Sequence, residues 1–272
     1  MSDEQNQLTQ PIQAQVGELP ITSFPTIYKL LVKLNYAQQD EILHLEKQLY
    51  HLIKESPNDI NGLILLMQEQ IMRGEQQKAK ALAYKIWDLG GEMSPAMEAL
   101  FISNLVNLGL TDMAGVLLKP KFDATKSFIN IFFAQMIKYA TIVGNLDYLE
   151  RIAVCDANFD RKKALQEFIN VFKYLNALEH FKTLQKTLIN MIKDVVLSLD
   201  FNLYTDRGFT DLEIVVYVGD EAGDKEVLRN KLEMQITAYC AAKSLPRFNN
   251  LCYVVRSIKE HPSLLESSTP AL

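Results

Sequence analysis

The stretch "YTDRGFTD" gathers Tyr204, Asp206, Arg207 and Asp211, two carboxylates with a guanidinium and a phenol. Such a set could run acid–base or phosphate chemistry. Asp and Gly are also what a tight turn demands. No partner histidine, serine nucleophile elbow or second carboxylate pair can be assigned elsewhere. The four residues are therefore read as a hairpin tip and a contact point for a partner or a second copy of the chain, not as a catalytic set.

Other candidate chemistry meets the same test. His44 and His51 stand seven apart on a predicted helix, but no H-x-x-x-H or H-E-x-x-H supplies a zinc geometry. The loop "GDEAGDKE" holds Asp220, Glu221, Asp224 and Glu226 without the alternating oxygen ligands of a calcium loop. Asp224 suits a helix N-cap instead, and acidic residues there favour the helix dipole. No metal and no cofactor are expected. Gly74 followed by Lys78 and Lys80 invites comparison with a phosphate cradle, yet G-x-x-x-x-G-K-[ST] is absent and no strand precedes it.

Gly74 makes sense as a corner. Gly109 and Gly144 follow it at steps of 35 residues, within "NLVNLGLTDMAGVLL" and "YATIVGNLDYLERI". Eight before each glycine stand Leu66, Phe101 and Met136; five after stand Ala79, Ala114 and Leu149. Helical periodicity on both sides predicts a helix, a tight turn and an antiparallel helix, three times over. Glycine ends each first helix because the left-handed conformation costs it no Cβ clash. Weaker units flank these: residues 25–54, with Asp40 as N-cap of the second helix, and a hairpin after Cys155 with Asn176 in glycine's role.

With its period, its turn and the small residue on the second helix, the chain resembles the tetratricopeptide repeat superfamily over residues 56–153. Pro57 and Asn58 open the best unit, Leu63 and Leu66 line its first helix, Gly74 turns and Ala79 packs. Met67, Gln70 and Leu149 depart from the family pattern. The resemblance implies a concave face lined by the first helices of each pair. Asn61, Gln68, Ser103, Asn107 and Lys138 then form a polar row suited to hydrogen-bonding a partner's extended backbone.

The pattern changes near residue 195. Leu197, Leu199, Phe201 and Leu203 alternate with polar neighbours, and Leu212, Ile214, Val216 and Val218 repeat the alternation, a β-hairpin. A helix over 225–243 and a third strand in "NLCYVVRSI" complete the unit. The fold class is thus mainly α: an α-solenoid of about five antiparallel helix pairs followed by a small ββαβ module. The boundaries are a disordered segment at 1–22, helical repeats at 23–193, the α/β module at 194–260 and a flexible tail at 261–272.

Composition constrains function only loosely. With 48% hydrophobic and 22% charged residues over 272 positions, the chain has the makings of a sizeable core. A net charge of -5 argues against general affinity for nucleic acid or anionic membrane. Residues 119–194 nonetheless carry 12 basic against 8 acidic side chains, a mildly basic middle. No signal peptide or bilayer-length apolar run is read. Cys155, Cys240 and Cys252, with no C-x-x-C, suit a reducing cytoplasm. The expectation is a non-enzymatic adaptor binding a partner protein in the solenoid groove, with the sheet edge as a route to a homodimer. The alternatives are a ligand-binding or catalytic α/β module positioned by the solenoid, and nucleic-acid binding through 119–194.

Overall fold

The computed structural model describes Ile27 and residues 39–123, 132–154, 162–206 and 209–261. It is mainly helical and ends in a small three-stranded sheet. The helices are α1 (Gln39–Glu55), α2 (Ile60–Met72), α3 (Gln76–Leu89), α4 (Pro95–Asn107), α5 (Thr111–Asp123), α6 (Phe133–Ile142), α7 (Leu146–Val154), α8 (Lys162–Tyr174) and α9 (Leu178–Ile192). Then come β1 (Val196–Asp206), β2 (Phe209–Val218), α10 (Lys225–Ala242) and β3 (Leu251–Ser257). The 1–22 segment, residues 262–272 of the expected tail, Cys155 and Arg207 lie outside the described residues.

Local chemistry explains where helices begin. Asp59 accepts from the Gly62 N–H and Ser94 from the Met97 N–H, with Pro95 in the first turn of α4. Asp224 caps α10 through the Glu226 N–H. Asp40 differs from expectation: α1 begins at Gln39, so Asp40 sits inside the first turn and complements the helix dipole.

The corners repeat one hydrogen-bond pattern. Gly74, Gly109, Gly144 and Asn176 all have positive φ, at 82°, 71°, 68° and 49°. Each donates to the carbonyl three residues back, and the following residue donates five back: Glu75 to Gln70, Leu110 to Leu105, Asn145 to Ala140, Ala177 to Phe172. This is the Schellman closure, which satisfies carbonyls a helix end would otherwise leave orphaned. Each corner joins a packed helix pair: α2 with α3, α4 with α5, α6 with α7, α8 with α9. The first helices also touch in series, α2 on α4 and α4 on α6.

The corners have a second reason to be small, which the repeat alone does not disclose. A Cβ on Gly144 would lie 2.9 Å from Gln185 Cγ and 3.1 Å from Lys182 Cα. One on Gly109 would lie 3.3 Å from Val196 Cγ1, and one on Gly74 3.8 Å from Leu197 Cδ1. The α9–β1 stretch therefore runs past the corners in reverse chain order. Gln76 fastens it there, its side-chain amide donating to the carbonyls of Lys193 (3.0 Å) and Val196 (2.7 Å).

In the sheet β2 is central, antiparallel to β1 and parallel to β3. Leu199, Val216 and Val255 stand in register, as do Phe201, Ile214 and Tyr253. These positions share one face with Leu203, Leu212 and Leu251. Simple alternation puts Val196 on the opposite, polar face. A bulge between Val196 and Ser198 instead pairs Val196 with Val218 of the apolar face, and Val196, Leu197, Ser198 and Leu199 are all fully buried. Helices α4, α6 and α8 pack on β1, α8 also on β2, and α10 on both β3 and α9. Phe172 of α8 meets Phe181 of α9 and Phe248 before β3, which ties helices and sheet into a continuous apolar core.

Candidate functional site

The polar row expected to face a partner is divided by the fold. Asn61 is exposed at the start of α2 and Ser103 is half-buried. Gln68 and Asn107 are each only 3% exposed, inside the protein. Lys138 is half-buried, and its ammonium donates to Asn107 Oδ1 at 2.7 Å. The structure thus joins Asn107 to Lys138, on helices that carry β1, and sets Asn61 apart. Helices α4 and α6, which carry Ser103, Asn107 and Lys138, pack on β1.

Around Lys138 lies a polar cluster that periodicity could not assemble. Burial lowers the Lys138 ammonium, while Asp200 of β1 pulls it back up. His261 is buried, with its ring 4.2 Å from that of Tyr217. Burial, then Lys138, push the His261 imidazole down to about 4, with Asp200 opposing. Tyr217 is raised by burial and by Asp200. His261 was expected in the tail. It is held because the capping box of Ser257 and Glu260 turns the chain back after β3.

A second cluster sits where α1 meets α2. Gln70 Nε2 donates to Glu46 Oε1 at 3.0 Å and also to Glu69. Arg73 pairs with Glu46 and lies 3.8 Å from Glu69. Glu69 is fully buried, and its carboxyl is pushed up to about 8 by desolvation first and by Glu46 next. One acid and one carboxylate bridged by an amide and a guanidinium hold two helices together. The run "QEQ", which a helical wheel puts partly on the outside, is buried throughout.

The strands that flank the expected hairpin tip are paired up to Asp206 and Phe209. Tyr204 stands opposite Asp211 across the strands and gives its hydroxyl to Glu213 Oε1 at 3.3 Å. His44 bonds Gln48, and His51 lies 3.7 Å from Glu55 one turn on. Among the described residues no three metal-binding side chains converge, and no helix is long and apolar enough to cross a membrane. Cys240 and Cys252 are free, and burial, then Glu213 and Glu233, push the Cys252 thiol up to about 11, far from a reactive thiolate.

An open concavity lies beside the Gly109 corner. A cleft of about 450 Å³ lies between the Gly109 corner, the start of α5, α6 and the outer face of α9. Tyr84, Met113, Tyr139, Val143 and Ile189 line it with apolar surface, and Lys182, Lys186 and Lys193 with charge. Its size is ordinary for a ligand site. These lysines went unassigned in the sequence, where the only signal was the basic excess of residues 119–194 and their spacing on one helical face.

The chain matches no family model, no curated protein and no solved structure. The geometry alone carries the functional reading.

Proposed function

We propose that this chain is a non-enzymatic interaction protein, an α-solenoid of tetratricopeptide-like helix pairs closed by its own ββαβ module. The observation that carries the reading is the row of Schellman corners at Gly74, Gly109 and Gly144 with α9 and β1 laid across it. Repetition supports a one-dimensional stack of hairpins, whose usual work is to present a long surface to a partner. The module does the capping: β1 lies on α4 and α6, and Asn107 and Lys138 of the inner polar row bond each other. The partner then meets another face of the stack. Strand β3, at the edge of the described sheet, offers a route to a homodimer by strand pairing.

The test is cross-linking in the native cell, followed by reconstitution. A recovered protein that forms a defined complex with the purified chain supports the reading. A chain that recovers no partner, and whose melting temperature rises with a nucleotide or metabolite, belongs to the second reading. That reading makes the sheet face a ligand site, and one observation favours it: the convergence of Lys138, Asp200, Tyr217 and His261 from four segments of chain.

A further inference from the structure

Lys182 and Lys186 of α9 and Lys193 at its C-cap are spaced four and seven residues apart, so they fall along one side of the helix. All three are exposed and all three line the cleft. Among the described residues none of their ammonium groups has an ion-pair or hydrogen-bond partner. Lys121, Lys173, Lys225 and Lys259 by contrast have carboxylate partners, and what sets these three apart from other unpaired lysines is that they share one cleft. Asp112 is the one carboxylate of the lining, so three cations face one anion. Like charges lined up beside a concave, partly apolar wall raise the local potential and concentrate anions there.

The shape of the charge narrows the ligand. Lys193 lies eleven positions after Lys182, about 16 Å along the helix axis. A lone phosphate or carboxylate cannot span that row, whereas an extended peptide covers it in about five residues. Beneath the row, Met113, Val143 and Ile189 with the rings of Tyr84 and Tyr139 form a floor that would take an apolar side chain. At the same end α5 opens without a side-chain cap, since Leu110 holds the N-cap place and its carbonyl accepts from Ala114. The N-terminal end of α5 adds the partial positive charge of the helix dipole. A polynucleotide fits less well, because the row is one short cleft on a chain of net charge -5.

We infer that this cleft binds an acidic peptide segment of a partner protein, carboxylates on Lys182, Lys186 and Lys193 and an apolar anchor on the floor between Tyr84 and Tyr139. The inference rests on the interaction-protein reading and names the partner's chemistry and the surface it meets.

The experiment uses the full chain and a set of short fluorescent peptides alternating Asp or Glu around one Leu or Phe, read by anisotropy at low and at physiological salt. Matched Asn/Gln peptides, inorganic phosphate and a single-stranded oligothymidine are the comparison probes. Acidic peptides should bind, salt should weaken them, and the double variant K182E/K186E should lose at least about tenfold in affinity. The double variant K182R/K186R, which keeps the charges, should bind as the wild type does. Both variants alter exposed residues, and equal melting temperatures verify that the fold is intact. Failure of every acidic peptide to bind overturns the inference, as does equal binding by the Asn/Gln set or by K182E/K186E. Tighter binding of the oligothymidine, or of phosphate alone, also overturns it. If a partner recovered from cells binds K182E/K186E undiminished, the cleft assignment falls while the interaction-protein reading stands.

Discussion

Glu69 and His261 are opposite cases of one physical cost, that of placing an ionisable group where its charged form is poorly solvated. For Glu69 the folded pKa, about 8, lies above the ordinary 4.5. The folded state therefore holds a proton that the unfolded state has lost. Stability from this group is full below about pH 4.5 and falls as pH rises to about 8. Glu69→Gln should flatten that decline, so that the variant gains on the wild type between those limits in urea titrations at a series of pH values. His261 runs the other way: its folded pKa, about 4, lies below the ordinary 6.5. Its contribution is present above about pH 6.5 and is lost as pH falls towards 4. His261→Asn should show a shallower loss over that window, and an unchanged slope would mean the imidazole is solvated. Neither role is visible from residue type. Glu69 sits among glutamines in an amphipathic helix and His261 next to a proline, and only the neighbours brought by folding decide which form each keeps.

At the scale of the element, the glycine column was legible for its backbone and illegible for its packing. A glycine ending each first helix announces a left-handed corner, and all three corners have that conformation. That α9 would press against them depends on contacts with residues tens of positions later, which no local periodicity encodes. Gly144→Ala should therefore cost more than a corner alone explains. The left-handed strain of about 1 kcal/mol adds to overpacking against Gln185 and the Lys182 backbone, for a total of about 2–4 kcal/mol by chemical denaturation. Gly74, a matching left-handed corner whose added Cβ would meet only Leu197 Cδ1 at 3.8 Å, is the internal control, and its alanine variant should lose about 1 kcal/mol. Equal losses at the two sites would show that α9 yields to the extra methyl. The bulge in β1 teaches a similar lesson. Alternation placed the strands correctly, but the one inserted residue that carries Val196 into the apolar face answers to its partner Val218.

For the whole molecule the question is whether helices and sheet are one cooperative unit. The sequence reads as two modules meeting near residue 194, because the hydrophobic period switches there from helical to alternating. In the folded chain β1 is covered by α4, α6 and α8, and the aromatic contacts of Phe172 run from α8 through α9 to Phe248. A sheet of three strands buries too little surface to stand alone, so it borrows its cover from the helices. Thermal unfolding should accordingly be a single transition with coincident near- and far-ultraviolet circular dichroism, and two resolved transitions would mean separable modules. The sequence by itself determined the periodic features: helices, strands, glycine corners and the cap at Asp224, all set by residues within a few positions of one another. Only the tertiary structure decided that Lys138 of the inner polar row meets Asp200 of β1, that Lys138 and His261 share a cluster, and that Lys182, Lys186 and Lys193 face an open cleft. Those outcomes depend on which distant surfaces exclude water from one another, and burial of that kind is a property of the assembled chain rather than of any segment in it.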